Sequence, residues 1–394
     1  MRTAPAATVL LAALVTAAPA VVAGERNLDA VLGRALFDRA WVPAPASTRS
    51  ADGLGPLFNA RSCSACHGLR GLSPASTNPF ALTLKLGDDP LYGQQIQTFA
   101  ALGLDGEGRV SVEDGPRGRE ARLVDAPQGP LDAATTRSLR HAPTISGIGL
   151  LALITETDIL AGADPDDRDG DGVSGRPNLL GERRRLGRFG WKAAHASLAE
   201  QNATAFALDL GLGTPIHPAS WADCTDRQPG CRSAPQGGSA DAPEITPEMA
   251  RLVDLFVSLI PAPRPAADPE GLALFEATGC AACHRPTWQV VRTGAVVPST
   301  IAPFTDMLLH DMGEPLADDL VEGDAAGGEW RTPPLWGIAA RLEVGLPAFL
   351  HDGRASTLEA AIGWHAGEAA SAVHRFDALA EPERQRLLAF LSGL

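Results

Sequence analysis

Two copies of one five-residue pattern constrain this chain more than anything else in it. They are Cys63-Ser64-Ala65-Cys66-His67 and Cys280-Ala281-Ala282-Cys283-His284. In Cys-x-x-Cys-His the two thiols bond to the vinyl groups of a haem, and the imidazole that follows ligates its iron. Cys-x-x-Cys by itself also serves dithiol redox sites and zinc sites. Two copies favour covalent haem over both alternatives, since each is followed by His and neither is paired with a second metal-type cluster. The expected cofactors are two covalently bound haem c groups, and the expected chemistry is redox.

The N-terminus agrees with this. Met1-Arg2 is a short basic start, and Ala4 to Val22 are small and apolar. Ala23 and Val21 stand at the spacing signal peptidase prefers, so residues 1–23 read as a signal peptide and the mature chain as starting near Gly24. The apolar run is too short and too Ala-rich for a membrane anchor, and no later run has the length of a spanning helix. Haem c is attached outside the cytoplasm, so the expected location is the periplasm. Four of the six cysteines belong to the haem motifs. The remaining two, Cys224 and Cys231, flank a turn-rich hexapeptide and read as a small-loop disulfide.

The 394 residues, 45% of them hydrophobic, are ample for two domains. A net charge of −14 argues against nucleic acid and anionic membrane as partners. It suits a small redox protein or other electron donor with a positive face, and equally a charge that only serves solubility. Gly 41 and Pro 32 indicate a loop-rich fold.

The chain contains a diverged internal repeat. Leu32-Gly33-Arg34-Ala35-Leu36-Phe37 precedes the first motif, and Gly271-Leu272-Ala273-Leu274-Phe275 precedes the second. Thr246-Pro247-Glu248 caps a helix whose apolar positions are Met249, Leu252, Val253, Phe256 and Leu259. Glu381-Pro382-Glu383 opens another, with Leu387, Leu388, Phe390 and Leu391 as its apolar face. Each half thus reads helix, haem motif, excursion, closing helix. The expected fold is mainly α, with two cytochrome c-like domains and long loop-rich insertions in the first. The expected boundaries are 24–260 for the N-terminal haem domain, 261–270 for a Pro-rich linker and 271–394 for the C-terminal haem domain.

One insertion holds an acidic run, Asp164 to Gly175. Asp167, Asp169 and Asp171 followed by Gly172 match the first half of a calcium loop. Asn178 stands where that loop needs a bidentate Glu, so calcium and an acidic surface turn remain competing readings.

Four segments carry a family resemblance: Asp52 to Cys63 (Asp-Gly-Leu-Gly-Pro-Leu-Phe-Asn-Ala-Arg-Ser-Cys), Gly187 to Ala193, Glu329 to Trp336, and Phe349 to Arg354. They resemble the di-haem oxidoreductases, a family distantly similar to bacterial di-haem cytochrome c peroxidases and to the di-haem enzyme that matures methylamine dehydrogenase. The resemblance implies a peroxidase-like enzyme in which electrons enter at the C-terminal haem and hydrogen peroxide or another oxidant reacts at the N-terminal one. It also implies a sixth ligand for the second haem after the His351-Asp352-Gly353 turn. His365 stands at the place where the peroxidases have Met and the maturation enzyme has Tyr; Met307, His310 and Met312 are its competitors. It further implies Trp191 as a relay, Gln201 on the helix that follows, and Asp209 as a distal acid/base where the peroxidases have Glu. The peroxidases' displaceable distal His has no counterpart soon after His67; His141, His195 and Tyr92 are the remaining candidates there. A different class stays open beside the enzyme, a non-catalytic di-haem electron-transfer cytochrome serving a periplasmic partner.

Overall fold

The computed structural model describes residues 20–68, 82–115, 118–219, 221, 223–290, 300–343, 345 and 348–394. Most of the expected leader 1–23 lies outside the described residues. No helix among them is long and apolar enough to cross a membrane.

The expected helices form where their caps predict. The helix Pro247–Leu259 starts at Thr246, whose side chain accepts from the Met249 amide, and Pro247 occupies the first turn. It packs against the helix Ala20–Phe37. The helix Pro269–Ala277 packs in the same way against the helix Glu381–Ser392. A glycine of the repeat sits at each crossing. A Cβ at Gly33 would lie 2.0 Å from the Leu252 carbonyl oxygen, and one at Gly271 would lie 2.5 Å from Phe390 Cβ. Both crossings therefore need the bare backbone.

Each crossing is filled from its own side. Leu36, Phe37, Leu252, Val253 and Val257 form one cluster, with Cys63 packed against it. Phe275, Phe304, Phe376, Leu387 and Phe390 form another, with Cys280 against it. Phe275 meets Phe304 edge-on at 5.6 Å between ring centres. Burying a ring of this size contributes roughly 1.5–3 kcal/mol. Residues 261–268, between the two crossings, carry no helix or strand.

The expectation of a mainly α fold is not met. Helix accounts for 31% of the chain and strand for 17%, the strands forming many small sheets. The reason is visible in the segment after the first motif. Leu82-Thr83-Leu84-Lys85-Leu86 alternates apolar and polar, the period of a half-buried strand. The strand Leu82–Asp89 pairs with Gly93–Gln95 on one edge and Arg137–His141 on the other. Leu84, Leu86 and Leu139 pack into a cluster on one face of this sheet. Thr83, Lys85, Gln95 and Arg140 face the other way, into a cavity. A hairpin of Arg109–Gly115 and Gly118–Val124 extends the same region.

Candidate functional site

One cavity of about 650 Å³ has both Cys-x-x-Cys-His motifs in its wall. The first motif is a single helical turn, Cys63–His67; the second begins as a 3₁₀ turn, Cys280–Ala282. None of the four cysteines is in a disulfide. Burial, reinforced by the Asp209 charge, pushes the Cys63 thiol up to about 12 and raises Cys66 as well. Burial likewise pushes Cys280 up to about 11. Thiols held neutral in this way are poor nucleophiles, unlike the depressed thiolates of dithiol redox sites. Among the described residues the only close set of three or more metal-type ligands is Asp167, Asp169 and Asp171, so neither motif sits in a zinc-type cluster.

The imidazoles of the two motifs are held alike. His67 Nδ1 lies 3.1 Å from the Pro143 carbonyl oxygen, and His284 Nδ1 lies 3.0 Å from that of Phe304. A carbonyl only accepts, so Nδ1 carries the proton in both rings and Nε2 keeps its lone pair. Burial lowers both pKa values, His284 to about 4 with further help from His365. Neutral rings of fixed tautomer are what iron ligation requires.

His365 repeats this arrangement. It follows the helix Leu358–Gly363, and its Nδ1 lies 2.7 Å from the Ala361 carbonyl oxygen. It lines the same cavity, near enough to His284 to depress that ring's pKa. Its competitors fare differently. Both ring nitrogens of His310 are engaged, Nε2 with Asp306 at 2.8 Å and Nδ1 with Glu368 at 2.7 Å. Those carboxylates raise its pKa to about 12 against the effect of burial. Met307 is buried in an apolar cluster away from the cavity wall, whereas Met312 lines it.

The residues expected on the first side converge on the same space. Asp209 is the penultimate residue of the helix Leu198–Leu210, which Ser197 caps at its start and Gly211 ends at a φ of 65°. Asp209 is shielded from bulk water, and what surface it keeps faces the cavity. Burial raises its pKa, partly offset by a 2.7 Å hydrogen bond from Gln95 Nε2 and by the Lys85 charge. Gln201, on the same helix, has a buried Oε1 with no hydrogen-bond partner among the described residues. Trp191 joins the two sides. Its Nε1 donates to the His141 carbonyl at 2.8 Å, and its own carbonyl accepts from the Arg331 amide at 3.0 Å.

Of the remaining candidates, Tyr92 is fully buried in a separate cluster, where its hydroxyl donates to the Gly129 carbonyl. It does not reach the cavity. His141 and His195 line it, and burial holds His195 at about 4. Cys224 and Cys231 are bonded to each other, with Cα atoms 6.1 Å apart. The ligand atoms of Asp167, Asp169 and Asp171 lie within 4.8 Å of one another on an exposed turn. Asn178 gives nothing to that turn. Its amide donates to the Lys192 and Glu322 carbonyls, and its oxygen accepts from the Asp324 amide.

Sequence reasoning missed Lys85, Gln95, Arg140 and Glu322, which stand in the cavity wall. The alternation in residues 82–86 was the available signal for Lys85. The others reach the wall through strand pairing and a long-range ion pair.

Comparison with known proteins bears on the same residues. The family model described as "Di-haem oxidoreductase, putative peroxidase" matches residues 133–394. That span includes the second motif, His365, Trp191 and Asp209; the first motif precedes it. Among solved structures, hydrazine synthase of Kuenenia stuttgartiensis is similar at 15% identity and a TM-score of 0.38, over 100% of this chain and 99% of that one. No curated protein matches the sequence. With the family match covering well over half its length, the chain belongs to the di-haem oxidoreductase family.

Proposed function

We propose that this protein is a periplasmic c-type oxidoreductase of peroxidase-like activity, binding one haem covalently at each motif. Electrons enter on the side of Cys280–His284, from a small redox protein or other donor, and hydrogen peroxide or another oxidant reacts on the side of Cys63–His67. Residues 24–260 and 271–394 form the two haem-bearing parts, joined by 261–270. One observation carries the reading. His67, His284 and His365 line one cavity, each with Nδ1 on a backbone carbonyl and Nε2 left as a donor of electrons to iron. The cavity's size and its two pairs of neutral thiols fit the cofactor. Bound there, haem supplies a one-electron couple whose potential depends on its axial ligands.

The chain's own residues have distinct tasks. His284 and His365, near enough for one ring to depress the pKa of the other, would both ligate the second haem and would then leave no place for a substrate on its iron. Asp209 is the group on the first side that can hold and move a proton, with Gln95 fixing its orientation. Trp191 bridges the two sides through hydrogen bonds at both its ring and its carbonyl.

The electron-carrier reading is favoured by a separate observation. His141 and His195 also line the cavity, and either could close the first side with a second imidazole. The spectrum of the oxidised protein discriminates. A high-spin component together with rapid reaction of the reduced protein with peroxide supports the enzyme. Two low-spin haems inert to peroxide at every level of reduction replace it with the carrier.

Ligation of the second haem has its own test. H365M is expected to change the low-spin spectrum and to raise that haem's potential, since thioether sulfur favours ferrous iron more than imidazole does. Spectroelectrochemical titration reads both. An unchanged spectrum and potential would remove His365 and promote Met312, which lines the cavity as His310 does but without that ring's two carboxylate partners.

A further inference from the structure

The sheet wall of the cavity holds a cluster of charged side chains that the proposed chemistry does not use. Lys85, Arg140 and Lys192 meet Asp318 and Glu322. Arg140 Nη2 lies 3.2 Å from Asp318 Oδ2 and 3.1 Å from Glu322 Oε2, and Lys192 Nζ lies 2.9 Å from Asp318 Oδ1. Lys85 pairs with the other oxygen of Glu322. The Arg140 side chain is only 5% exposed and that of Lys192 0%. Lys85, 25% exposed, also acts on Asp209, so the buried cation left incompletely paired is Arg140.

The place for an anion is specific. Arg140 uses Nη2 for both acids, while its Nε and Nη1 are buried with no hydrogen-bond partner among the described residues. Lys192, in contrast, is saturated by Asp318 and the carbonyls of Leu320, Ala326 and Gly327. The Arg140 guanidinium is held 4.4 Å over the Trp330 ring, which stacks on His351 at 3.8 Å. Strand pairing opposite Thr83 fixes its backbone. A rigid arginine with idle donors, facing a cavity, suits a carboxylate.

We propose that Arg140 binds a propionate carboxylate of the haem attached at the first motif. The assignment rests on the two-haem reading above. Haem c leaves its two carboxylates on the edge opposite its thioether bonds, inside the cavity rather than at the cysteines. Arg140 belongs to the first side by its chain position, three residues before Pro143, whose carbonyl holds His67. Its neighbour Lys85 acts on Asp209 from the same wall. The bound carboxylate gives the idle donors of Arg140 an acceptor. Arg140 then acts as a positioning residue that sets the potential of this haem.

The experiment uses the full-length holoprotein and reads the potential of each haem by spectroelectrochemical titration. R140Q is expected to keep two covalent haems and to lower the potential of the haem that C63A/C66A removes, because the propionate charge beside ferric iron loses its partner. R140K should restore most of that shift. Unchanged potentials in R140Q overturn the assignment. So does R341Q if it shifts the same haem equally, since Arg341 is another buried cation of the cavity wall with an idle Nε. If R140Q accumulates no haem protein, R140K decides: its resonance Raman propionate band must move from the wild-type position, and an unmoved band overturns the proposal. A saturable acetate-dependent shift in the wild type, lost in R140K or R140Q, would assign the site to a diffusible anion and also overturn it. Fewer than two covalent haems in the wild type would instead sink the reading on which the proposal rests.

Discussion

Replacing Cys63 and Cys66 together by Ala is expected to reduce covalent haem from two per chain to one, and C280A/C283A is expected to do the same at the other site. Both thioether bonds of a site are lost at once, so no partial attachment remains. His67 or His284 could still hold a haem through its Nε2, but denaturation strips a group held by iron ligation alone. The measurement is therefore the mass of the denatured chain together with a haem stain after denaturing electrophoresis. The two variants should also differ from each other. C280A/C283A is expected to lose the haem that His284 and His365 would ligate, and with it the low-spin spectrum of a bis-imidazole site. C63A/C66A keeps that spectrum and loses reactivity toward peroxide. Two covalent haems in either variant would sink the central claim. One haem in each but identical residual spectra would leave attachment standing and remove the division of labour between the sites.

That prediction was legible in the sequence because haem attachment is a local property. Five consecutive residues carry the thiols and the imidazole, whatever surrounds them. The paired helices were legible for a similar reason: Thr246-Pro247 and Glu381-Pro382 announce helix starts, and the glycines of the repeat mark where backbones cross. The resemblance also pointed to His365, by implying a sixth ligand after the His351 turn, and that imidazole stands in the cavity wall.

The strands and the cavity wall were far less legible, for two physical reasons. First, the segment after His67 is rich in Gly, Pro and polar residues, which reads as loop. Its central sheet turns polar side chains, those of Thr83, Lys85, Gln95 and Arg140, into the cavity, which dilutes the apolar signal. Second, the wall's chemistry is created by long-range pairing. Lys85 and Glu322 are separated by 237 positions, and Arg140 and Glu322 by 182. No local window joins them. Tyr92 illustrates the converse error. As the sole Tyr it drew attention as a ligand candidate, yet its hydroxyl is engaged by the Gly129 carbonyl in an apolar cluster.

Asp209→Asn is expected to slow peroxide turnover about a hundredfold or more, the usual cost of losing a positioned acid/base. The substitution is shape-conserving here, because an Asn oxygen can still accept the hydrogen bond that Gln95 Nε2 gives to Asp209 Oδ1. Haem content and fold should therefore be unchanged, and the loss should fall on the rate. The pH profile supplies a second signature. Burial raises the Asp209 pKa above its ordinary value, so the protein holds this carboxyl neutral to higher pH than an exposed one. The ionised form that accepts a proton from peroxide is lost as pH falls through that raised pKa, and the wild-type rate should fall with it. The Asn variant has no such group and should show a flat profile over the same range. Trp191→Phe makes the complementary test. It keeps an aromatic ring but loses the hydrogen bond to the His141 carbonyl. Oxidation of the second haem should then slow more than the initial reaction with peroxide. Stopped-flow mixing of the half-reduced protein with peroxide measures both steps. An unchanged Asp209→Asn rate at every pH would take the proton-transfer role from Asp209 and pass it to His195, the neutral imidazole that lines the same cavity.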